Sequence, residues 1–264
     1  MIYAEQRPPP DLAPWVACFW QMSGESEGLA HRVLPDGCVD WLIDLQSAHR
    51  HRPELQLVGP MSTAQVVPLH GTVDSLGIRL RPGAAGALRL PVTELLDAVV
   101  PAGVLPGAAP QLSSALLAQA AAFPRRAELL ASALREQLAR LAPRPDPLVR
   151  QALAAWTLRS ASLPRVGALA RQLGVSERAL ERRFQRAVGL TPASYRRLAR
   201  FRAVLRLHTS GLRDWATLAV TCGFSDQSHL VRDFGALAGL SPTAWAATQV
   251  SPAGFVQDGR LSVL

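Results

Sequence analysis

The order of apolar and polar positions divides this chain into two halves of different period. Up to about residue 100, short runs alternate at a period of two and are broken by Gly, Pro and Asp, which predicts strands and turns. Trp15–Trp20 is a short apolar run of strand character. His31–Leu34 leads into Pro35-Asp36-Gly37, a turn signal, and Cys38–Leu45 follows as a second strand, so the two together predict a hairpin. Leu55–Val58 and Ser75–Leu80 each predict a half-buried strand, and Pro82-Gly83 closes the strand run. The period then lengthens. Gln111–Ala122 is rich in Ala and Leu, and Arg126–Leu141 sets Leu130, Leu134, Leu138 and Leu141 on one helical face. That stripe suits packing against the strands and an interface with a second copy equally well. Pro143–Pro147 alternates three prolines, which cannot continue a helix, and predicts a stiff linker. Everything after it reads as helix. The expected fold class is α+β: a β-rich domain with C-terminal helices over 1–142, a linker at 143–147, an all-α domain over 148–250 and a tail at 251–264.

The helical region repeats itself after about fifty residues. Leu169-Ala170 matches Leu218-Ala219, and Leu173-Gly174-Val175-Ser176 matches Cys222-Gly223-Phe224-Ser225. After one inserted residue, Leu180, Arg182 and Phe184 match Leu230, Arg232 and Phe234. Gly189-Leu190-Thr191-Pro192 then matches Gly239-Leu240-Ser241-Pro242, with Tyr195 opposite Trp245. Each copy has the parts of a helix-turn-helix. Ala170 or Ala219 is small where two helices pass close, and Gly174 or Gly223 supplies the left-handed backbone of the turn. Ser176 or Ser225 caps the second helix, and Leu180 with Phe184, or Leu230 with Phe234, buries it. Pro192 and Pro242 suit the first position of a further helix. On the wheel, the face opposite Leu180 and Phe184 carries Arg178, Arg182 and Gln185, with Glu181 at its edge. The second copy exposes Ser228 and Arg232, flanked by His229. These side chains can reach base edges in a major groove. On a lone helix such a face is ordinary solvated charge; inside a repeated helix-turn-helix, base reading is the better account.

Charge sharpens that picture. Residues 144–264 hold 17 Arg against 7 acids, a net of +10, while residues 1–143 hold 11 Arg against 13 acids, a net of −2, within an overall +8. A basic module beside a slightly acidic one suits a phosphate backbone. All 28 basic residues are Arg, which fits bidentate contacts but reflects a GC-rich genome more than function. Hydrophobic content of 48% with 18% charged residues is globular. The N-terminus lacks the layout of a signal peptide, and Pro101, Pro106 and Pro110 interrupt the uncharged stretch 98–123, so a cytoplasmic chain without a membrane span is expected. Cys18, Cys38 and Cys222 form no Cys-x-x-Cys pair, which excludes a zinc knuckle or thioredoxin-like site and predicts small buried side chains in a reducing compartment. No nucleophile–base signature or phosphate-binding Gly loop is present. His49 and His51 with Glu54 resemble the His-x-His…Glu ligand set of metal-binding cupins, but the spacing is short and a polar loop containing Pro53 is the better reading. Asp36, Asp40 and Asp44 suit a polar strand face as well as a carboxylate site.

With these residues in place, the chain resembles the AraC-type family of bacterial transcription regulators over about residues 147–248. The first copy carries Leu-Ala…Leu-Gly-Val-Ser-x-Arg-x-Leu-x-Arg-x-Phe. The second carries the more specific Cys-Gly-Phe-Ser-Asp-Gln-Ser-His-Leu-x-Arg-x-Phe…Gly-Leu-Ser-Pro. The resemblance implies seven helices, with Asp146–Ser160 packed on the first motif and Pro192–Leu207 joining the two. It implies DNA contacts from Arg178, Glu181 and Arg182 and from Gln227, Ser228 and Arg232. It implies a sequence-specific regulator that is no enzyme and needs no cofactor. Double-stranded DNA is its partner, with RNA polymerase joining if it activates. The front half is then a sensor for a small-molecule effector, or a homodimerisation domain that binds none. Two departures, Gly235–Ala238 in place of basic residues and Trp245 in place of Tyr, would weaken phosphate contacts from the second copy. The alternative is a cupin-like metalloenzyme domain fused to a DNA-binding tail.

Overall fold

The computed structural model describes residues 1–45, 54–105, 110, 117, 119–120, 122–157 and 163–248. The front half contains β1 (Ile2–Gln6), β2 (Val16–Val33), β3 (Val39–Asp44), β4 (Glu54–Val58), β5 (Gln65–Leu80) and β6 (Val99–Pro101). A short helix α1 (Ala84–Ala87) and a long helix α2 (Phe123–Leu141) complete it. The strands form one antiparallel sheet in the order β1-β2-β5-β3-β4-β6.

The expected hairpin between the strands flanking Pro35-Asp36-Gly37 does not form, because β5 lies between β2 and β3 and pairs with both. Leu76–Leu80 is buried at every position, so β5 ends as a central strand covered on both faces rather than the half-buried strand its alternation predicts. Gly77 allows this: a Cβ there would meet the Trp20 indole at 2.1 Å. Val33 pairs with Gln65, yet Val39, six residues on, pairs with Leu80, fifteen residues further along β5. Six extended residues reach about 21 Å at most, whereas fifteen residues of straight strand cover about 50 Å. The β2–β5 ribbon therefore curls back on itself, helped by register shifts at Val16/Cys18 and Glu27/Leu29. Pro82-Gly83 does not close the sheet either, since β6 returns to pair with β4.

Leu130 and Leu134 of α2 are fully buried against Phe19, Trp41, Ile43, Leu57 and Ile78, and Leu138 and Leu141 flank them. The leucine stripe thus covers the sheet and is not offered to a second copy. Arg126 anchors the start of α2 with paired bonds of 2.7 and 3.0 Å to the Asp74 carboxylate. The expected helix Gln111–Ala122 lies mostly outside the described residues.

The second half contains α3 (Pro147–Ala155), α4 (Val166–Gln172), α5 (Glu177–Val188), α6 (Pro192–Thr209), α7 (Trp215–Thr221), α8 (Gln227–Ala238) and α9 (Pro242–Thr248). These are seven helices among the described residues; 158–160, where the first was expected to continue, fall outside them. They share a hydrophobic core that also takes in Leu34 from the front half. All three cysteines are buried and unpaired. No helix among the described residues is long and apolar enough to cross a membrane.

Candidate nucleic-acid interface

Both copies of the repeat fold as paired helices about a glycine turn. In the first, Ala170 of α4 is buried where α5 passes, and Gly174 turns the chain at φ 68°. Ser176 then caps α5 by accepting the Ala179 N–H at 3.2 Å. Leu180, Phe184 and Val188 bury one face of α5, where Phe184 meets Trp156 and Tyr195 edge-on at 5.4 and 5.3 Å. The opposite face leaves Arg178, Glu181 and Arg182 exposed, with Gln185 half-buried.

In the second copy, Ala219 is buried and Gly223 turns the chain at φ 74°, but Ser225 does not cap the helix. The residue inserted relative to the first copy is Asp226, and it takes the cap, accepting the His229 N–H at 2.7 Å. That backbone bond, together with one from the Ser225 hydroxyl, holds the Asp226 carboxyl below the usual carboxylate range. The substitution follows from spacing, since the insertion carries Ser225 one residue too far from the helix. Gln227, Ser228 and Arg232 are exposed along α8. His229 is half-buried; its Nδ1 lies 3.0 Å from the Ser225 Oγ and its ring packs edge-on to Phe224 at 5.2 Å.

α6 joins the copies as one 18-residue helix, about 27 Å long at 1.5 Å per residue. Ion pairs fix the second helix of each copy. Asp146 caps α3 and pairs with Arg183 of α5 at 2.7 and 2.6 Å. Burial works against its charge, but Arg183 and the two cap N–H groups hold the Asp146 carboxyl below its ordinary range. Asp233 of α8 does the converse, binding Arg197 and Arg200 of α6 at 2.8 and 3.1 Å. Neither Asp146 nor Asp233 stood out in the sequence, because each acts across elements far apart in the chain.

The front half reaches α5 and α8 at their C-terminal ends. Gly86 of α1 passes so near Ala187 that a Cβ would lie 2.5 Å from its carbonyl oxygen. Gly189, at φ 84°, passes Val92 and Pro60 as closely. Arg32 donates to the Ala238 carbonyl at 3.0 Å, and the Ala64 N–H to the Leu237 carbonyl at 2.7 Å. Arg202 of α6 donates to the Asp36 carbonyl at 2.9 Å. These contacts leave the N-terminal turns of α5 and α8 free, which are the turns a recognition helix inserts.

Trp245 was expected to affect phosphate contact. Instead it has no exposed surface and packs on Phe234 at 5.7 Å, so the substitution acts in the core. His49 and His51 lie outside the described residues. Among the described residues, no three His, Cys, Asp or Glu side chains are placed to hold a metal ion.

Two family models match the chain: a domain of unknown function over residues 4–101 and a helix-turn-helix domain over residues 169–248. No curated protein sequence matches. Among solved structures, the chain is similar to an AraC-type DNA-binding-domain regulator from Chromobacterium violaceum, at 23% identity and a TM-score of 0.37, covering 40% of this chain and 95% of that one. It is similar to a DNA-binding transcriptional dual regulator from Escherichia coli at 18% identity and a TM-score of 0.35, over 39% and 92% of the two chains. It is also similar to ToxT from Vibrio cholerae at 10% identity and a TM-score of 0.41, over 86% and 95%.

Proposed function

We propose that this chain, matched by a helix-turn-helix family model over residues 169–248, is an AraC-type transcription regulator, and that each monomer reads two adjacent major-groove segments with α5 and α8. One observation carries the reading: two recognition helices with exposed N-terminal turns are fixed to a single continuous connector. Successive major-groove faces on one side of B-DNA recur about every 34 Å, which a connector of about 27 Å with modest DNA bending can match. In this reading Arg178, Glu181, Arg182 and Gln185 meet one base cluster, and Gln227, Ser228 and Arg232 the other. His229, whose Nδ1 lies 3.0 Å from the Ser225 hydroxyl, stands with the second set.

The domain unit that does this is 148–250, with Asp146 fastening the linker onto α5. The front half then regulates. Its contacts with the C-terminal ends of both recognition helices make it the element through which an effector or a second copy would shift the heads relative to each other.

Hydroxyl-radical footprinting on DNA selected by the full chain tests the proposal. Two protected segments about one helical turn apart per monomer are expected, with unlike sequences beneath them. A single protected segment per monomer would remove the two-headed mechanism.

A further inference from the structure

Between the two motifs lies a cleft of about 530 Å³ lined by Arg165, Arg196, Arg200, Gly223, Phe224, Ser225 and His229. Arg165 stands at the start of α4 in the first motif, Arg196 and Arg200 lie on the connector, and the rest form the turn and first helical residues of the second. No single element supplies it. We propose that this cleft is a backbone-phosphate site that grips the DNA strand between the two base clusters, touching both motifs at once. The inference rests on the DNA-reading function above and adds a contact to it.

Three features of the cleft favour an anion. First, its positive charge is under-compensated. Asp233 is shared among Arg197, Arg200 and His229, and among the described residues no carboxylate pairs with Arg165 or Arg196. Burial and the neighbouring Arg165 charge both press the Arg196 guanidinium toward losing its proton; burial and Arg196 do the same to Arg200, and an incoming phosphate relieves that repulsion. Second, the site is built before any ligand arrives. Arg200 is buried, lies 4.5 Å over the Phe224 ring, donates to the Gly223 carbonyl at 3.3 Å and is held by Asp233, and its Nε–H is buried without a partner. Arg196 is steered by a 3.3 Å bond to the Leu163 carbonyl. Third, the cation at the mouth is exposed: among the described residues Arg165 has no ion-pair partner, and its side chain does not cap α4. A fixed floor with an exposed cation at the rim suits a phosphate that docks as the two heads enter their grooves.

The consequence is distinctive. A contact that spans both motifs adds affinity for any sequence only when the heads hold the spacing that closes the cleft on the strand. Variation at these residues therefore changes affinity without changing which bases are preferred.

The test uses the full chain and a duplex it selects from fragmented genomic DNA. Arg165→Gln, which breaks no bond among the described residues, and the double variant Arg165→Gln/Arg196→Gln are compared with Arg196→Lys. The double variant is expected to bind roughly tenfold or more weakly at low salt. The slope of log affinity against log salt should shrink by about one, and the ratio of selected to scrambled duplex should be unchanged. Arg165→Gln should show part of that loss, and Arg196→Lys should restore most of the salt slope. Neutral methylphosphonates placed only between the two base clusters should weaken the unsubstituted chain and leave the double variant unaffected. Unchanged affinity and slope in both glutamine variants would overturn the inference while leaving the two-headed reading intact. A changed base preference would overturn it too, by making the arginines base readers. If inorganic phosphate alone bound the cleft below millimolar concentration, and the glutamine variants lost that binding but no DNA affinity, the site would belong to a small anion. If the full chain selected no DNA at all, the function itself would fail first.

Discussion

The two helix-turn-helix copies share a backbone plan and differ in charge. α5 carries Arg178, Arg182, Arg183 and Arg186 and turns Arg183 inward to the linker carboxylate of Asp146. α8 carries one arginine, Arg232, and holds itself to the connector through its own acid, Asp233. In the proposed reading the first head brings excess positive charge to DNA, and the second brings amide and hydroxyl groups with much less charge. A cation-rich helix gains most from phosphate neutralisation, whereas a nearly neutral one must rely on base-edge hydrogen bonds. On that reading the pair would divide affinity and discrimination between two copies of one motif.

Their cores differ as well, which predicts the largest effect. Phe234 meets three aromatic rings, Phe201, Trp215 and Trp245, at 5.0, 6.1 and 5.7 Å, whereas Phe184 meets two. Both are fully buried, so Phe184→Ala and Phe234→Ala should each cost about 3–5 kcal/mol in urea unfolding, the second more than the first. Equal costs would show that the aromatic cluster of the second copy adds nothing beyond burial.

The reversed ion pairs predict a smaller asymmetry. Removing Asp233 strands Arg200, which is buried, so Asp233→Asn should destabilise by about 3 kcal/mol. Asp146→Ala loses a helix cap and a half-exposed pair, for about 1 kcal/mol. Chemical denaturation of the two variants in parallel checks the ranking, and a larger loss at Asp146 would reverse the assignment of roles.

The smallest effect is a pH dependence where the end of the connector packs on the second copy. His208 is buried and stacked on Trp215 at 4.8 Å, and burial with the adjacent Arg213 charge lowers its pKa. A histidine with a depressed folded pKa contributes stability that is present above its unfolded pKa, near 6.5, and is lost as pH falls from there through the folded value. Melting temperature should therefore fall as pH drops below about 6.5, and the fall should shrink in His208→Phe. An unchanged pH profile in that variant would assign the acid sensitivity elsewhere.

The repeat was legible in the sequence because its signals are local: a turn glycine, a capping side chain and a buried pair at i and i+4 recur at fixed spacing. The same locality explains the misreading of Ser225, where one inserted residue moved the cap to Asp226. The sheet was less legible. Its strands were largely visible, but the placement of β5 between β2 and β3, the return of β6 and the curl of the ribbon depend on pairings between distant residues. The Arg165–Arg196–Arg200 cleft escaped for that reason too, since its lining is brought together only when α6 sets one motif beside the other. The exposed candidate residues were legible as a face; their division into a charged helix and a nearly neutral one became meaningful once Asp146 and Asp233 had found their partners.

The central claim is that the two heads read separate base clusters, and selection of bound sequences by Arg182→Ala and Arg232→Ala chains tests it most directly. Each substitution should cost about 1–3 kcal/mol on the parent site and relax base preference in one cluster only, a different cluster for each variant. If both lowered affinity equally for every sequence, or relaxed the same cluster, these arginines would be backbone contacts or parts of one head, and the two-headed account would be wrong.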